Sequence, residues 1–166
     1  MDGGCEEKSY ILDADALKLI KDNLDLLNHK NVILTPHEGE LKIMMGIALP
    51  FYDKIEDRSN MILRIAQDLD VTLLIKGVYD FISNGKDLRI NRTGCPEMSI
   101  GGTGDVLAGL CACFLATENS PFKSACSAAF LNGIIGEYCK LNIGDRFTAL
   151  DMTKNINNAL RNVLNF

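Results

Sequence analysis

The chain has 166 residues, 47% of them hydrophobic and 23% charged, which suits one folded domain over residues 1–166 and excludes disordered, fibrous and collagen-like chains. Its 17 Lys and Arg against 22 Asp and Glu give a net charge of -5, the reverse of the basic excess of a duplex nucleic-acid binder. The longest uncharged apolar run, residues 106–116, is too short to cross a bilayer, and the first ten residues, MDGGCEEKSY, hold no apolar leader core, so the expectation is a cytoplasmic protein with neither a nucleic acid nor a membrane as partner.

Residues 9–13 (SYILD) read as a short strand, followed by the acidic pair Asp13 and Asp15 and by Leu17, Ile20 and Leu24 at helical spacing. Residues 32–35 (VILT) form a buried strand halted by Pro36, and residues 38–45 a short helix ending near Gly46. Ile55, Ile62, Ile65, Ala66 and Leu69 mark one face of an amphipathic helix. Residues 71–75 (VTLLI) are a strand stopped at Lys76 and Gly77, and residues 78–83 and 88–91 flank Asn84-Gly85 as a hairpin. Helices are predicted over 103–117 and 122–141, the second entered at Pro121. A last helix uses Met152, Ile156, Ala159, Leu160 and Val163, capped by Thr148 or Asp151. Strands alternating with helices imply a mostly parallel sheet covered by helices, an α/β layered domain.

Six cysteines, Cys5, Cys95, Cys111, Cys113, Cys126 and Cys139, contain no C-x-x-C pair, and with two histidines a zinc site is not expected. Most are read as buried, reduced thiols, with Cys111 and Cys113 on different helix faces. The apolar residues of the 122–141 helix spread around much of its circumference, so it wants neighbours from a second subunit or from sequence not present.

Four segments carry candidate chemistry. Gly101-Gly102-Thr103-Gly104-Asp105 opens a strongly apolar helix. Its glycines let the backbone approach a ligand, and free N–H groups at a helix start hold phosphate. Asp105 there serves as a general base for a hydroxyl attacking phosphorus, or simply as a first-turn acid. The segment LTPHEGE follows a strand, and His37 either contacts a ligand or starts a helix in which Glu38 and Glu40 favour the dipole. Lys76, Gly77, Val78, Tyr79 and Asp80 also follow a strand: Lys76 neutralises phosphate or is a solvated strand-end lysine. In LDADAL, Asp13 and Asp15 orient Mg²⁺ or substrate, or cap a helix. A parallel sheet carries three of the four to one edge.

The four segments occur together, in this order and over about residues 10–164, in a known family. LDADAL, LTPHEGE, LIKG and N-x-TG-x-P-x-M-x-x-GGTGDVLAG resemble the ADP- or ATP-dependent NAD(P)H-hydrate dehydratases. The resemblance implies a ribokinase-like three-layer α/β/α sandwich and a repair reaction, in which a nucleotide phosphorylates the hydroxyl of hydrated NADH or NADPH and phosphate is then eliminated. It implies ADP or ATP as donor, Mg²⁺ on the phosphates with no protein ligand assigned, and an NAD(P)H-hydrate epimerase as partner or fusion. Carried over by motif, His37 and Asp105 contact the substrate, with Asp105 as the base. Lys76, Gly77, Val78, Tyr79, Asp80 and the Gly101–Gly104 stretch bind nucleotide.

The chain departs from the pattern at Glu38 (usually Pro), Cys95 (Asn), Ser99-Ile100 (Ala-Thr) and Asp80 (Thr), where a negative charge is unhelpful beside a nucleotide. The family's Gly-rich N-terminal part is missing. The expectation is therefore an N-terminally truncated version with an unpaired sheet edge that a homo-oligomer covers. Two other readings stand beside the dehydratase. One is a vitamin-precursor kinase of the same superfamily, which lacks the upstream N-x-TG-x-P-x-M. The other is a non-catalytic nucleotide-binding subunit.

Overall fold

A computed structural model describes residues 8–27, 31–117 and 119–164, so Cys5 lies outside the described residues. Five strands form one sheet in the order β1 (Ser9–Leu12), β2 (Asn31–Leu34), β3 (Thr72–Ile75), β4 (Asp80–Ser83) and β5 (Leu88–Asn91). Between β1 and β3 run α1 (Asp15–Ile20), a 3-10 turn at Leu24–Leu27, α2 (Glu38–Met45) and α3 (Ile55–Asp68). After β5 come a 3-10 turn at Pro96–Met98, α4 (Thr103–Leu115), α5 (Pro121–Asn142), α6 (Ala149–Lys154) and α7 (Ile156–Leu164).

The sheet is mixed rather than mostly parallel. β1, β2 and β3 pair in parallel, whereas β3 with β4 and β4 with β5 are antiparallel. The cause is two successive chain reversals, the short 76–79 connection between β3 and β4 and the hairpin read at Asn84-Gly85 between β4 and β5. A hairpin reverses the chain, while a parallel neighbour would need a crossover. Its loop is longer than a two-residue turn: Asn84 Oδ1 accepts the N–H groups of Lys86 (3.0 Å) and Asp87 (2.7 Å). Gly85, at φ 81°, is seated so close to Gln67 that a Cβ would lie 2.6 Å from its Cα.

Strand alternation divides the core in two. Ile33, Leu74 and Ile82 face a layer built from α4 to α7. Val32, Leu34, Leu73, Ile75 and Phe81 face α1, α2 and α3 through Leu17, Leu41, Met44, Ile62 and Ile65. Helices thus cover both faces, as the continuous apolar strands require. The single last helix of the sequence reading is two, broken at Asn155. Thr148 caps the first, with Asp151 returning the bond to form a capping box. Among the described residues, no helix is long and apolar enough to cross a membrane.

The helix α5 carries one row of small residues against the sheet and the 91–99 loop. A Cβ on Gly133 would meet Thr93 Oγ1 at 2.1 Å and its carbonyl carbon at 2.6 Å, and one on Gly136 would meet Met98 Sδ at 2.2 Å. The loop is also bonded to the helix. Asn91 Nδ2 donates to the Ala129 carbonyl (3.1 Å), Thr93 Oγ1 to the Phe130 carbonyl (3.1 Å) and Gly94 N–H to Glu137 Oε1 (2.7 Å). Lys140 Nζ donates to Glu97 at 2.8 Å. The N-x-TG-x-P-x-M signature is therefore a strap lying on α5. Gly133→Ala is expected to cost about 3 kcal/mol through backbone overlap that cannot relax. A fall in Tm of roughly 6–12 °C checks it, and an unchanged Tm would refute the strap.

Only part of the cysteine reading holds. Five thiols are free among the described residues; Cys111 and Cys139 are buried, Cys95 and Cys126 half-buried, and Cys113 is exposed. Burial pushes the Cys111 thiol up to about 12, so it is an inert core side chain.

Candidate active site

The carboxyl ends of the three parallel strands meet at one edge. β1 delivers Asp13, β2 runs on through Thr35 and Pro36 to His37, and β3 is followed directly by Lys76. An isolated parallel bridge sets His37 beside Lys76, whose N–H donates to the Pro36 carbonyl at 2.9 Å. Lys76 Nζ donates to Asp13 Oδ1 at 2.7 Å and lies 3.6 Å from Glu40 Oε2. The start of α4 closes the cluster: a Cβ on Gly104 would sit 3.4 Å from Lys76 Nζ and 3.8 Å from Asp13 Oδ2. All four sequence segments therefore share one locus, as open α/β sheets place their ligands.

Each segment has a local reason for its geometry. Asp13 and Asp15 do not cap α1; Ala14 precedes it without a side-chain cap. Ala14 has φ 51° and ψ -122°, and Ala16 N–H returns to the Asp13 carbonyl at 3.1 Å. Those angles suit the first central residue of a type II′ turn, where glycine is at ease and alanine is strained. The turn leaves Asp13 to Lys76, while Asp15 pairs with Lys18 at 2.8 Å.

His37 is both a helix start and an exposed edge residue. It caps α2 with its Nδ1, which accepts the Glu40 N–H at 3.0 Å, while Glu40 Oε2 accepts the His37 N–H at 2.9 Å. With Nδ1 accepting, Nε2 is the ring nitrogen left to donate; it lies 3.6 Å from Glu40 Oε1 on a side chain that is 57% exposed, so a ligand can also reach it. Gly39 keeps room for the ring, since a Cβ there would lie 3.0 Å from His37 Cε1.

Gly102, at φ 93°, precedes α4 as its cap residue, and the helix has no side-chain cap. The Thr103 hydroxyl lies within bonding reach of the Met98 (2.9 Å) and Ile100 (3.0 Å) carbonyls, which pins the glycine loop. The first N–H groups of this 13-residue helix are left for a ligand.

Beside this locus opens a cavity of about 470 Å³. Lys76, Gly77, Val78, Tyr79, Asp80, Thr103 and Gly104 line it, together with Arg92, Thr93, Asn132 and Leu107. Of the site residues carried over by motif, His37, Gly101, Gly102 and Asp105 are not in its wall, nor are Asp13 and Asp15; His37 and Asp105 are exposed. The Arg92 guanidinium stands 5.6 Å from the Tyr79 ring centre at the cavity wall. The pocket thus joins a cation, open helix N–H groups, an aromatic ring and apolar wall, which fits a nucleotide in size and chemistry.

Asp80 is placed to hold the loop rather than to greet phosphate. Its oxygens accept the Gly77 N–H (3.3 Å) and Asn91 Nδ2 (3.0 Å). Burial nevertheless pushes its carboxyl above the usual range, against the opposing pull of Asn91, Gly77 and Lys76. A raised native value means that this group favours the fold at acid pH, and the contribution is lost as pH rises through the native value. The stability of wild type relative to Asp80→Asn is therefore expected to grow as pH falls from neutral toward the ordinary carboxylate range, read by urea denaturation. A difference independent of pH would count against it.

Sequence reasoning missed Tyr52, Arg92, Asn132 and Glu137. The first lies in an unremarkable loop, and the last two come from a helix that reads simply as apolar, Asn132 buried and Glu137 exposed beside the 91–99 loop. The Gly133 spacing after Asn132 was the one local signal of close backbone approach.

A family model described as NAD(P)H-hydrate dehydratase matches residues 5–158. The chain is 42% identical over 138 residues to the ADP-dependent (S)-NAD(P)H-hydrate dehydratase of Cenarchaeum symbiosum, covering 83% of this chain and 47% of that protein. It is 38% identical over 158 residues to the bifunctional NAD(P)H-hydrate repair enzyme Nnr of Hyperthermus butylicus, covering 95% and 29%. Among solved structures it is similar to the ADP/ATP-dependent NAD(P)H-hydrate dehydratase of Bacillus subtilis co-crystallised with ATP and Mg²⁺. There the TM-score is 0.77 at 25% identity, over 94% of this chain and 55% of that one. The chain spans about half the length of the dehydratases it matches and less than a third of the bifunctional relative. The three layers are the ribokinase-like arrangement, and the chain belongs to the NAD(P)H-hydrate dehydratase family.

Proposed function

We propose that this chain supports nucleotide-dependent dehydration of hydrated NADH or NADPH, a carbon–oxygen lyase reaction that returns damaged cofactor to use. The observation that carries the reading is the meeting of Lys76, Asp13 and the open start of α4 at Gly104, beside a cavity of nucleotide size. The names of the relatives support the substrate class, and their ADP and ADP/ATP dependence supports the donor.

In this reading the nucleotide lies along the 76–80 loop, with its phosphates at Lys76 and the α4 N–H groups. The helix dipole and the lysine stabilise charge on the transferred phosphoryl group. The hydrated nicotinamide ring lies on the open side, where His37 Nε2–H donates to it and Asp105 takes the proton of its hydroxyl. The freed oxygen attacks the terminal phosphorus as the bond to the departing nucleotide breaks. The carbon–oxygen bond then breaks, phosphate leaves, and the neighbouring carbon gives up a proton to restore the double bond. Mg²⁺ would accompany the phosphates: no group of three or more His, Cys, Asp or Glu could hold a metal among the described residues, and Asp13 is engaged by Lys76. No step here depends on it.

An epimerase partner or fusion belongs to the same proposal, supported by the bifunctional name of a relative, as does a cytosolic address. Exposed Phe130, Leu141, Ile143 and Leu150 on the C-terminal helices support a homo-oligomer, which light scattering tests. The activity test is incubation of the purified chain with hydrated NADH, Mg²⁺ and either ADP or ATP, following NADH absorbance. NADH recovery that requires nucleotide is expected. Nucleotide binding without recovery would favour the non-catalytic subunit, and phosphorylation of a vitamin-precursor alcohol would favour the kinase.

A further inference from the structure

We infer that Arg58 and Tyr52 form a positioning strut, anchored at Glu38, that sets the shape of the Gly77–Tyr79 loop. Arg58 is a charged residue only 1% exposed, and such burial needs partners. Its Nη1 donates to the Pro50 carbonyl at 2.8 Å and its Nη2 to Glu38 Oε1. Its guanidinium lies 4.1 Å from the Tyr52 ring centre and 5.0 Å from that of Phe81, a cation–π seat that fixes the tyrosine plane.

Tyr52 passes this placement to the loop. Its hydroxyl accepts the Val78 N–H at 3.2 Å, and its ring meets Tyr79 edge-on at 6.1 Å between centres. It also explains the glycine that follows the lysine. A Cβ on Gly77 would lie 2.1 Å from the Tyr52 hydroxyl oxygen, but 3.4 Å from ring Cζ and 3.3 Å from the Tyr79 carbonyl. The hydroxyl alone therefore forbids a side chain there. The loop is otherwise open to solvent, with Val78 76% exposed. Its other anchor is the Gly77 N–H to Asp80 bond at 3.3 Å. At its far end the strut reaches Glu38, which adjoins the exposed edge residue His37, so one chain of contacts spans both sides of the site. Glu38, a departure from the family pattern, is thereby the partner of the buried arginine.

The inference rests on the reading of residues 76–80 as the nucleotide segment. Its test is calorimetric binding of ADP and of ATP, with Tm measured beside it. Tyr52→Phe is expected to raise the nucleotide Kd about 3- to 10-fold, the range of one lost hydrogen bond, with little change in Tm. Arg58→Lys keeps the charge but not the planar fork, and is expected to weaken binding to a similar degree, without adding to Tyr52→Phe. Gly77→Ala is expected to weaken binding more than tenfold in the wild-type background. In the Tyr52→Phe background it should do no further harm, because the obstructing oxygen is gone. Unchanged affinity in Tyr52→Phe, or equal damage by Gly77→Ala in both backgrounds, overturns the strut while leaving the nucleotide segment intact. A wild-type chain that binds neither ADP nor ATP overturns the nucleotide reading, and the strut's role with it.

Discussion

Asp105→Asn is expected to lower the rate of NADH recovery by roughly 10²- to 10⁴-fold, the range for loss of a general base, while nucleotide affinity changes by less than about threefold. Asp105 is exposed in the first turn of α4, immediately after Gly104, and lies outside the wall of the cavity. Its carboxylate therefore adds nothing to the nucleotide's seat beyond a local charge. As a first-turn acid it does favour the helix dipole, an effect of up to about 1 kcal/mol. Tm should consequently fall by no more than about 2–4 °C. The separation of rate from binding and stability is the discriminating feature. Single-turnover kinetics beside calorimetry on one preparation measure it, and a variant that still repairs hydrated NADH at a tenth of the wild-type rate or better would remove Asp105 from the chemistry.

The second large effect is expected at Lys76. Its ammonium is held by Asp13 at 2.7 Å, with side-chain exposures of 20% and 14%, and by Glu40 at 3.6 Å. Lys76→Met should weaken ADP and ATP binding about 100-fold, because a charge-assisted contact to phosphate is lost and two carboxylates now face it. It should also destabilise the fold by about 2–3 kcal/mol, since it leaves the mostly buried Asp13 carboxylate unpaired. The two losses come apart in the double variant. Asp13→Asn with Lys76→Met removes the orphan charge and is expected to recover most of the stability, yet little of the affinity. Urea denaturation and calorimetry follow the two quantities. Affinity that returns with stability would make Lys76 a structural residue only.

Much of this architecture is legible along the chain. The continuous apolar runs at 32–34 and 72–75 mark strands covered on both faces, and Asn84-Gly85 marks the chain reversal. The four motif segments all sit at strand ends or a helix start, so a parallel sheet must carry them to one edge. Local chemistry determines these features: turn residues, periodicity and capping act within a few positions of one another. The sequence alone also carries the family, because N-x-TG-x-P-x-M and GGTGD are specific as strings.

What the string does not carry is which side chain meets which across the sheet. Asp13 reads equally as a cap or a ligand residue, and it becomes the partner of Lys76 only because β1 and β3 flank β2. The strap of Asn91, Thr93 and Met98 reads as a signature, and only packing on α5 shows that Gly133 and Gly136 exist to admit it. Asp80 looks like a charge in the wrong place until its oxygens are seen holding Gly77 and Asn91. Arg58 looks like one more solvated helix arginine, and its burial against Tyr52 depends on Glu38 and Phe81, each at least 20 positions away. In every case but Asp80, whose partners lie in its own loop and hairpin, the deciding contact spans elements distant in sequence, where periodicity and capping have no reach. The tertiary structure alone decided these pairings, because distance in space rather than along the chain sets the strength of a hydrogen bond, an ion pair or a steric overlap.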